Sequence, residues 1–252
     1  MNTTGTTAAR DRRAERTRKN ILSAAMREFS AHGLSGARTE RIAQSAHVNK
    51  ALLYYYFKSK QGLYAAAVEA VATRVVEKAL AEFDPKYSPG ERLLRSALNH
   101  FDRILTQREF QSLIQQEMVR VRSGKGGSMP LLFRSAFAPL IEKMREAVED
   151  GMRTGELCRM DWLQALYSIF GANVFYFLSA PMMEVTLPFR PFETESLRTR
   201  RKSAVQFLGM ALFTDRAVGI RLADRVLRDL PMPPVKDLRA RIQSLHGRRK
   251  TS

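Results

Sequence analysis

The chain has 252 residues, 44% of them apolar, and a formal net charge of +17. That apolar share can bury a core and excludes a disordered chain. A single cysteine, Cys158, excludes an intrachain disulfide and points to a reducing compartment, where a lone cysteine reads as a small core hydrophobe. The first residues, MNTTGTTAARDRRAE, lack the apolar centre of a secretory signal. Residues 1–60 hold 12 Lys/Arg against 4 Asp/Glu, residues 231–252 hold 6 against 1, and the middle is nearly balanced. A basic end suits a solvated tail, a membrane surface or a polyanion. Because the N-terminal excess surrounds amphipathic helical pattern, nucleic acid is the leading reading.

In chain order, residues 1–15 lack apolar periodicity and read as a flexible basic arm. Helical pattern starts near Arg16, with Ile21, Leu22, Ala25 and Phe29 on one face and His32-Gly33 as its stop. A second helix follows, with Ile42, Ala43 and Ala46 inward. The break at Ala46-His47-Val48 is short enough to be a tight turn, and a third helix turns Leu53 and Phe57 inward. Three such helices share only a small core, which suits a module attached to something larger. The spacing assigns residues 16–62 to a helix-turn-helix domain.

The segment from Ile21 to Val68 resembles the DNA-binding domain of the TetR (tetracycline-repressor-like) family of regulators. The matching pieces are Ala25, Phe29 and Gly33 in the first helix, the Ile42-Ala43 pair, Val48, and the spaced set Leu53, Tyr54, Phe57, Lys60 and Leu63. The resemblance implies an all-α fold: an N-terminal three-helix DNA-binding domain plus a larger helical domain for ligand binding and dimerisation. It also implies a phosphate contact at Thr39. Two positions depart from the family pattern: His47 stands where the turn has glycine, and Ala37 where a threonine caps the second helix, a role Ser35 could take over.

One α-helix fits the major groove, where base edges differ in donors, acceptors and the thymine methyl. Asn49 and Lys50 open the third helix. Asn can pair bidentately with adenine, and Lys reaches guanine or phosphate. Ala51 and Leu52 lie on faces away from the core, with Leu52 suited to a thymine methyl. Tyr54 reads as core, whereas Tyr55 and Tyr56 offer hydroxyls to phosphate. Lys60 reads as a phosphate clamp, which positions without specifying sequence.

Residues 63–230 read as the larger helical domain. A long helix runs from Gln61 to Glu82, and Ser88-Pro89-Gly90-Glu91 reads as a capping box opening the fifth helix. A sixth spans Glu109 to about Arg122, and SGKGGS is a loop. The seventh, Ser128–Gly151, is kinked or split at Pro139. The segment between Asp161 and Glu184 carries no charge, but its polar residues and Pro181 make it a buried or interface helix rather than a membrane span. A ninth helix covers about Glu193–Thr214 and a tenth runs from Arg216 to Leu230. Residues 231–252 read as a disordered basic tail adding non-specific affinity.

Aromatic, soft and polar residues in this half supply a candidate ligand pocket: His100, Phe101, Gln115, Met118, Phe137, Trp162, Phe170, Asn173 and Tyr176. Phe110 and Phe133 add to the aromatic supply. Each also reads as ordinary core. Small residues in the eighth helix (Ala165, Ser168 and Ala172) and the stripe Leu197, Ala204, Leu208 and Ala211 in the ninth permit close helix approach. The resemblance makes these two helices a four-helix dimer interface, and implies an apolar or aromatic effector whose entry moves the reading helices apart. It thus implies a cytoplasmic, nucleoid-associated homodimeric repressor on a near-palindromic operator, with half-sites about 34–36 Å apart. Neither a membrane partner nor a cofactor is expected. No metal-ligand spacing, phosphate loop or nucleophile constellation suggests an enzyme. A non-specific DNA binder and a hydrophobic-ligand carrier remain the alternatives.

Overall fold

The computed structural model describes residues 3–125 and 129–234, and these form ten helices. They are α1 (Thr3–Gly36), α2 (Thr39–Ser45), α3 (Lys50–Phe57), α4 (Lys60–Leu80), α5 (Pro89–Thr106), α6 (Arg108–Arg122), α7 (Met129–Arg153), α8 (Trp162–Thr186), α9 (Thr194–Leu212) and α10 (Arg216–Asp229). The all-α expectation therefore holds. The chain forms two compact units. The first takes the residues up to Glu77 with Gln107–Pro139; the second takes Lys78–Thr106 and the chain from Leu140 on. This division cuts across the expected 62/63 boundary, because α6 packs on α1 and Met129 of α7 joins the same core.

In the first unit, Ile21, Ala25, Phe29, Ile42, Leu53, Leu63 and Val68 are fully buried in one core that also takes in Leu113 and Met129. Backbone helix begins at Thr3, where an arm was expected over residues 1–15. The run Ala14-Glu15-Arg16 and its neighbours are good helix formers with no proline among them, so helix propagates outward from the packed segment. Gly33, at φ 66 and ψ 177, breaks the helical path where the stop was expected, and a last turn continues to Gly36.

In the second unit, α5 is the central helix and packs on α8, α9 and α10. Phe101, Leu105 and Leu197 form a small core with Tyr176, Phe177 and Phe192 against it. The α5 N-terminus is capped differently from the expected box. Ser88 Oγ accepts from Glu91 N at 3.3 Å, as a cap should. The Glu91 carboxylate, however, pairs with Arg95 and Arg225. Its place is taken by Glu156, which accepts from Ser88 Oγ at 2.5 Å and Gly90 N at 3.0 Å. Two prolines are absorbed rather than obeyed: α7 runs unsplit through Pro139, and α8 continues past Pro181 to Thr186. Helices α9 and α10 cross where a Cβ on Gly219 would lie 2.0 Å from the Gly209 carbonyl oxygen. Only glycine allows backbones so close. The basic tail expected over 231–252 lies, from residue 235 on, outside the described residues.

Candidate functional sites

The recognition unit is built by α2, the turn and α3. His47, at φ 55, occupies the left-handed conformation that the tight turn demands. Val48 N donates to the Ala43 carbonyl at 3.0 Å and closes that turn. Asn49 then caps α3, its Oδ1 accepting from Leu52 N at 2.7 Å. The bidentate adenine contact expected of Asn49 needs this same oxygen, so the cap and the contact compete. Helix α3 buries Leu53 and Phe57 and leaves Ala51 and Tyr55 exposed, with Leu52, Tyr54 and Tyr56 half-buried. Tyr55, 71% exposed, stands edge-on to Tyr56 at 5.5 Å, and the Lys58 ammonium lies 5.7 Å above its ring. Leu52 is thus less exposed than its helical position suggested.

Three other side chains are tied to partners within the unit. Thr39 is buried and its hydroxyl lies 3.4 Å from the Tyr54 hydroxyl. Lys60 Nζ donates to the Ser35 carbonyl at 3.0 Å, at the end of α1, where a cation complements the helix dipole. Lys50 Nζ sits 2.5 Å from Glu40 Oε1. The hydrogen bond from Lys50 lowers the Glu40 pKa, and the same bond raises that of Lys50. Ser35 does not cap α2. Arg38 fills that position without a side-chain cap, and its N–H goes to Glu28 Oε1 at 3.0 Å.

Residues outside the motif fix the unit's shape. Gly62 lies so close to the α3–α4 corner that a Cβ would come 2.3 Å from the Phe57 carbonyl oxygen. Arg27 Nη2 donates to Ser45 Oγ at 3.1 Å, tying α1 to the end of α2. From α6, Ser112 Oγ and Gln116 Nε2 both donate to the Ser30 carbonyl, at 3.0 and 3.2 Å. The buried Glu117 accepts from Tyr64 Oη at 2.5 Å and from Arg120 at 2.6 Å. Burial and this carboxylate raise the Tyr64 pKa well above the ordinary value. No local sequence signal announced this link between α4 and α6; its residues are 53 positions apart.

The nine pocket candidates fall in different units. Gln115 and Met118 are exposed on α6 of the first unit, because they lie on the face turned from its core. Phe137 stacks on Phe133 at 5.6 Å in an apolar cluster built on Phe110. Within the second unit Phe101 is core, Trp162 is half-buried, and Tyr176 Oη donates to the Pro191 carbonyl at 2.7 Å. Besides Arg200 Nε on α9, three buried polar atoms there lack partners among the described residues: Ser96 Oγ, His100 Nδ1 and Asn173 Oδ1. They share one neighbourhood between α5 and α8, since Asn173 Nδ2 donates to the Ala97 carbonyl at 3.0 Å and His100 meets Phe170 edge-on at 5.1 Å. Burial, then the nearby Arg103 charge, push the His100 pKa down to about 3, so its ring is neutral at pH 7.

The dimer candidates divide as well. Ala165, Leu197 and Leu208 are buried within the unit, on the inward faces of their helices, and cannot be surface contacts. Ser168, Ala172 and Ala211 are exposed and Ala204 half-buried. Small size marked close packing, but not which face. The exposed apolar stripe of α8 is instead Leu163, Tyr167, Phe175, Leu178 and Met182. Among the described residues α8 is also the one helix long and apolar enough to cross a membrane.

The three-helix head, its tight turn and an appended helical unit define a helix-turn-helix regulator. Family comparison agrees: residues 21–67 match the bacterial regulatory proteins of the tetR family, and residues 89–208 match the tetracyclin repressor-like C-terminal domain. The chain belongs to the TetR family of regulators. It is 43% identical over 65 residues to the transcriptional repressor NicS of Pseudomonas putida, covering 26% of this chain and 31% of NicS. That match spans about a third of the relative. A longer one, 28% identical over 181 residues, covers 71% of this chain and 82% of the transcriptional regulator RutR of Escherichia coli K12. Among solved structures, a gamma-butyrolactone receptor aligns with a TM-score of 0.61 at 20% identity, covering 86% of this chain and all of that one. The family and these relatives are named as regulators, not enzymes.

Proposed function

We propose that the protein is a sequence-specific transcriptional repressor that binds a near-palindromic operator as a homodimer and leaves it when a small ligand enters the second unit. Its place of work is the cytoplasm, on the nucleoid. The observation that carries the reading is α3 itself, an eight-residue helix anchored by Leu53 and Phe57 with Lys50, Ala51 and Tyr55 turned outward. Such a helix, entered through a tight turn, fits the major groove. Thr39 and Lys60 then act mainly by positioning α2 and the end of α1, with Tyr55, Tyr56 and Lys58 beside the phosphate track. The grip of α6 on Ser30 and Tyr64 supplies a route by which a shift of α6 would re-aim α1 and α4. The uncovered α8 stripe supports α8 as the dimer face, since apolar surface of this kind marks an interaction site.

The effector reading rests on the unpartnered atoms of Ser96, His100 and Asn173. An unmade hydrogen bond at a buried group costs roughly 1–3 kcal/mol, so a polar ligand that completes the set gains that much at each. With His100 neutral, the set offers donors and acceptors but no formal charge. This favours a neutral molecule with a polar head and an apolar or aromatic body. The gamma-butyrolactone named for the structural neighbour is of that kind. Mobility shifts on DNA selected from the source genome test the whole reading: binding should weaken steeply with salt, and equal affinity for selected and random duplex would sink the specificity claim. Neutral lactones should raise the melting temperature and release DNA, and Asn173→Leu should abolish both effects. A carboxylate acting equally well would count against the ligand class.

A further inference from the structure

Lys50 opens α3 and Glu40 lies in the first turn of α2. Their side chains meet across the two helices at 2.5 Å, both substantially exposed, at 49% and 63%. Around them, Glu40 Oε2 lies 3.5 Å from Thr39 Oγ1, and the Lys50 ammonium lies 5.9 Å from the Tyr54 ring centroid. A carboxylate on a surface meant for DNA repels phosphate, and an ammonium already bonded to it is not a free phosphate anchor. The pair therefore has a poor role as backbone contact and a good one as a reader. In the major groove a G·C pair presents guanine N7 and O6 as acceptors, then the cytosine N4 amino group as donor. An ammonium beside a carboxylate is the complement of O6 beside N4.

Resting on the DNA-binding reading above, we propose that Glu40 and Lys50 act together as a specificity-determining pair that reads one G·C base pair in each half-site, Lys50 donating to guanine O6 and N7 while Glu40 accepts from cytosine N4. The reversed C·G pair and an A·T pair set a donor against Lys50 and an acceptor against Glu40. A T·A pair offers O4 and N6 in the right order, but places adenine N7 against the carboxylate and the thymine methyl against the lysine. Only one orientation of one base pair satisfies both partners. The carboxylate also lowers affinity for DNA that lacks this pair, so the same residue raises the ratio of specific to non-specific binding.

The test is in vitro selection from a randomised duplex library with the full chain and with Glu40→Ala and Glu40→Gln, followed by titration of the recovered duplexes against salt. The unaltered protein should enrich one position per half-site as G·C. In Glu40→Ala the preference there should fall ~10-fold, the size of one well-made base contact, with the other positions unchanged. Lys50, released, should reach phosphate, so binding to random duplex tightens and the log-log salt slope steepens by about one. Glu40→Gln, which removes the charge but keeps the shape, should tighten random binding likewise. An unchanged G·C preference in Glu40→Ala, or random binding that weakens, overturns the proposal. Failure of the unaltered protein to enrich any sequence overturns it along with the DNA-reading assignment, and is distinguishable because no operator is then recovered at all.

Discussion

The two units differ in how they treat buried polar groups. In the first, Tyr64, Glu117 and Arg120 bond to one another, Ser112 and Gln116 bond to Ser30, and among the described residues only Glu117 Oε2 is left over. In the second, Ser96, His100 and Asn173 each keep an unmade bond, as does Arg200 Nε. One unit leaves a single buried oxygen over as folded and presents its chemistry outward. The other holds unmet polar capacity inside. A module that must hold a helix at fixed geometry needs the first arrangement; a module that must respond to a ligand is served by the second, because the ligand then supplies what folding did not.

The largest expected effect tests the core of the first unit. Phe29 is fully buried and meets Tyr64 edge-on at 4.9 Å. Phe29→Ala should cost roughly 3–5 kcal/mol by cavity formation, measured by urea unfolding, and DNA binding should go with it. Retention of operator binding would mean that α3 does not depend on this core.

The second test uses acid. His100 titrates near 6.5 when unfolded and at about 3 when folded. Below pH 6.5 the unfolded chain takes up a proton that the folded chain refuses, so stability is lost as pH falls from 6.5 towards 3. The slope is about 1.4 kcal/mol per pH unit from this group. Above pH 6.5 it contributes no slope. Unfolding curves at pH 7, 6 and 5 should show the loss in the unaltered chain and a flatter profile in His100→Phe; equal profiles would remove His100 from the buried set.

Two hydroxyl deletions should then have opposite signs. Tyr64→Phe leaves the buried Glu117 carboxylate with one partner fewer and should cost about 1–3 kcal/mol. Ser96→Ala removes a hydroxyl that has no partner and should be neutral or stabilising by up to about 1 kcal/mol in ligand-free protein. Thermal melts of both variants check it. A costly Ser96→Ala would mean that its hydroxyl is already satisfied, and the contrast between the units would fail.

The same contrast explains what the sequence made legible. Apolar spacing located the helices and the buried positions Ile21, Phe29, Ile42, Leu53 and Phe57, because a single period and a strong burial energy decide them. The positive φ at His47, where the resemblance places a glycine, follows from the same kind of local demand. Long-range polar choices were not legible. Nothing local says that Glu156 rather than Glu91 caps α5, or that Glu117 is held by a tyrosine 53 positions earlier. Faces were harder than helices: the stripes read in α8 and α9 took in Ala165, Leu197 and Leu208, all turned inward, while the exposed stripe of Tyr167 and Phe175 has the same helical spacing as a core face.

The smallest effect decides what Asn49 does. Its Oδ1 already accepts from Leu52 N, so pairing with adenine asks the same oxygen to serve a second partner, in a different direction, through its other lone pair. Asn49→Ser keeps an N-cap of similar quality, so stability should change by a few tenths of a kcal/mol, whereas Asn49→Ala should lose about 1 kcal/mol. If capping is the whole role, Asn49→Ser leaves the selected operator sequence unaltered, and Asn49→Ala weakens all sites alike by loosening the first turn of α3. If the serine variant instead loses a preference for adenine at one position, the cap gives way on DNA. The reading helix would then trade local stability for a base contact, and the first unit would share in miniature the unfinished character of the second.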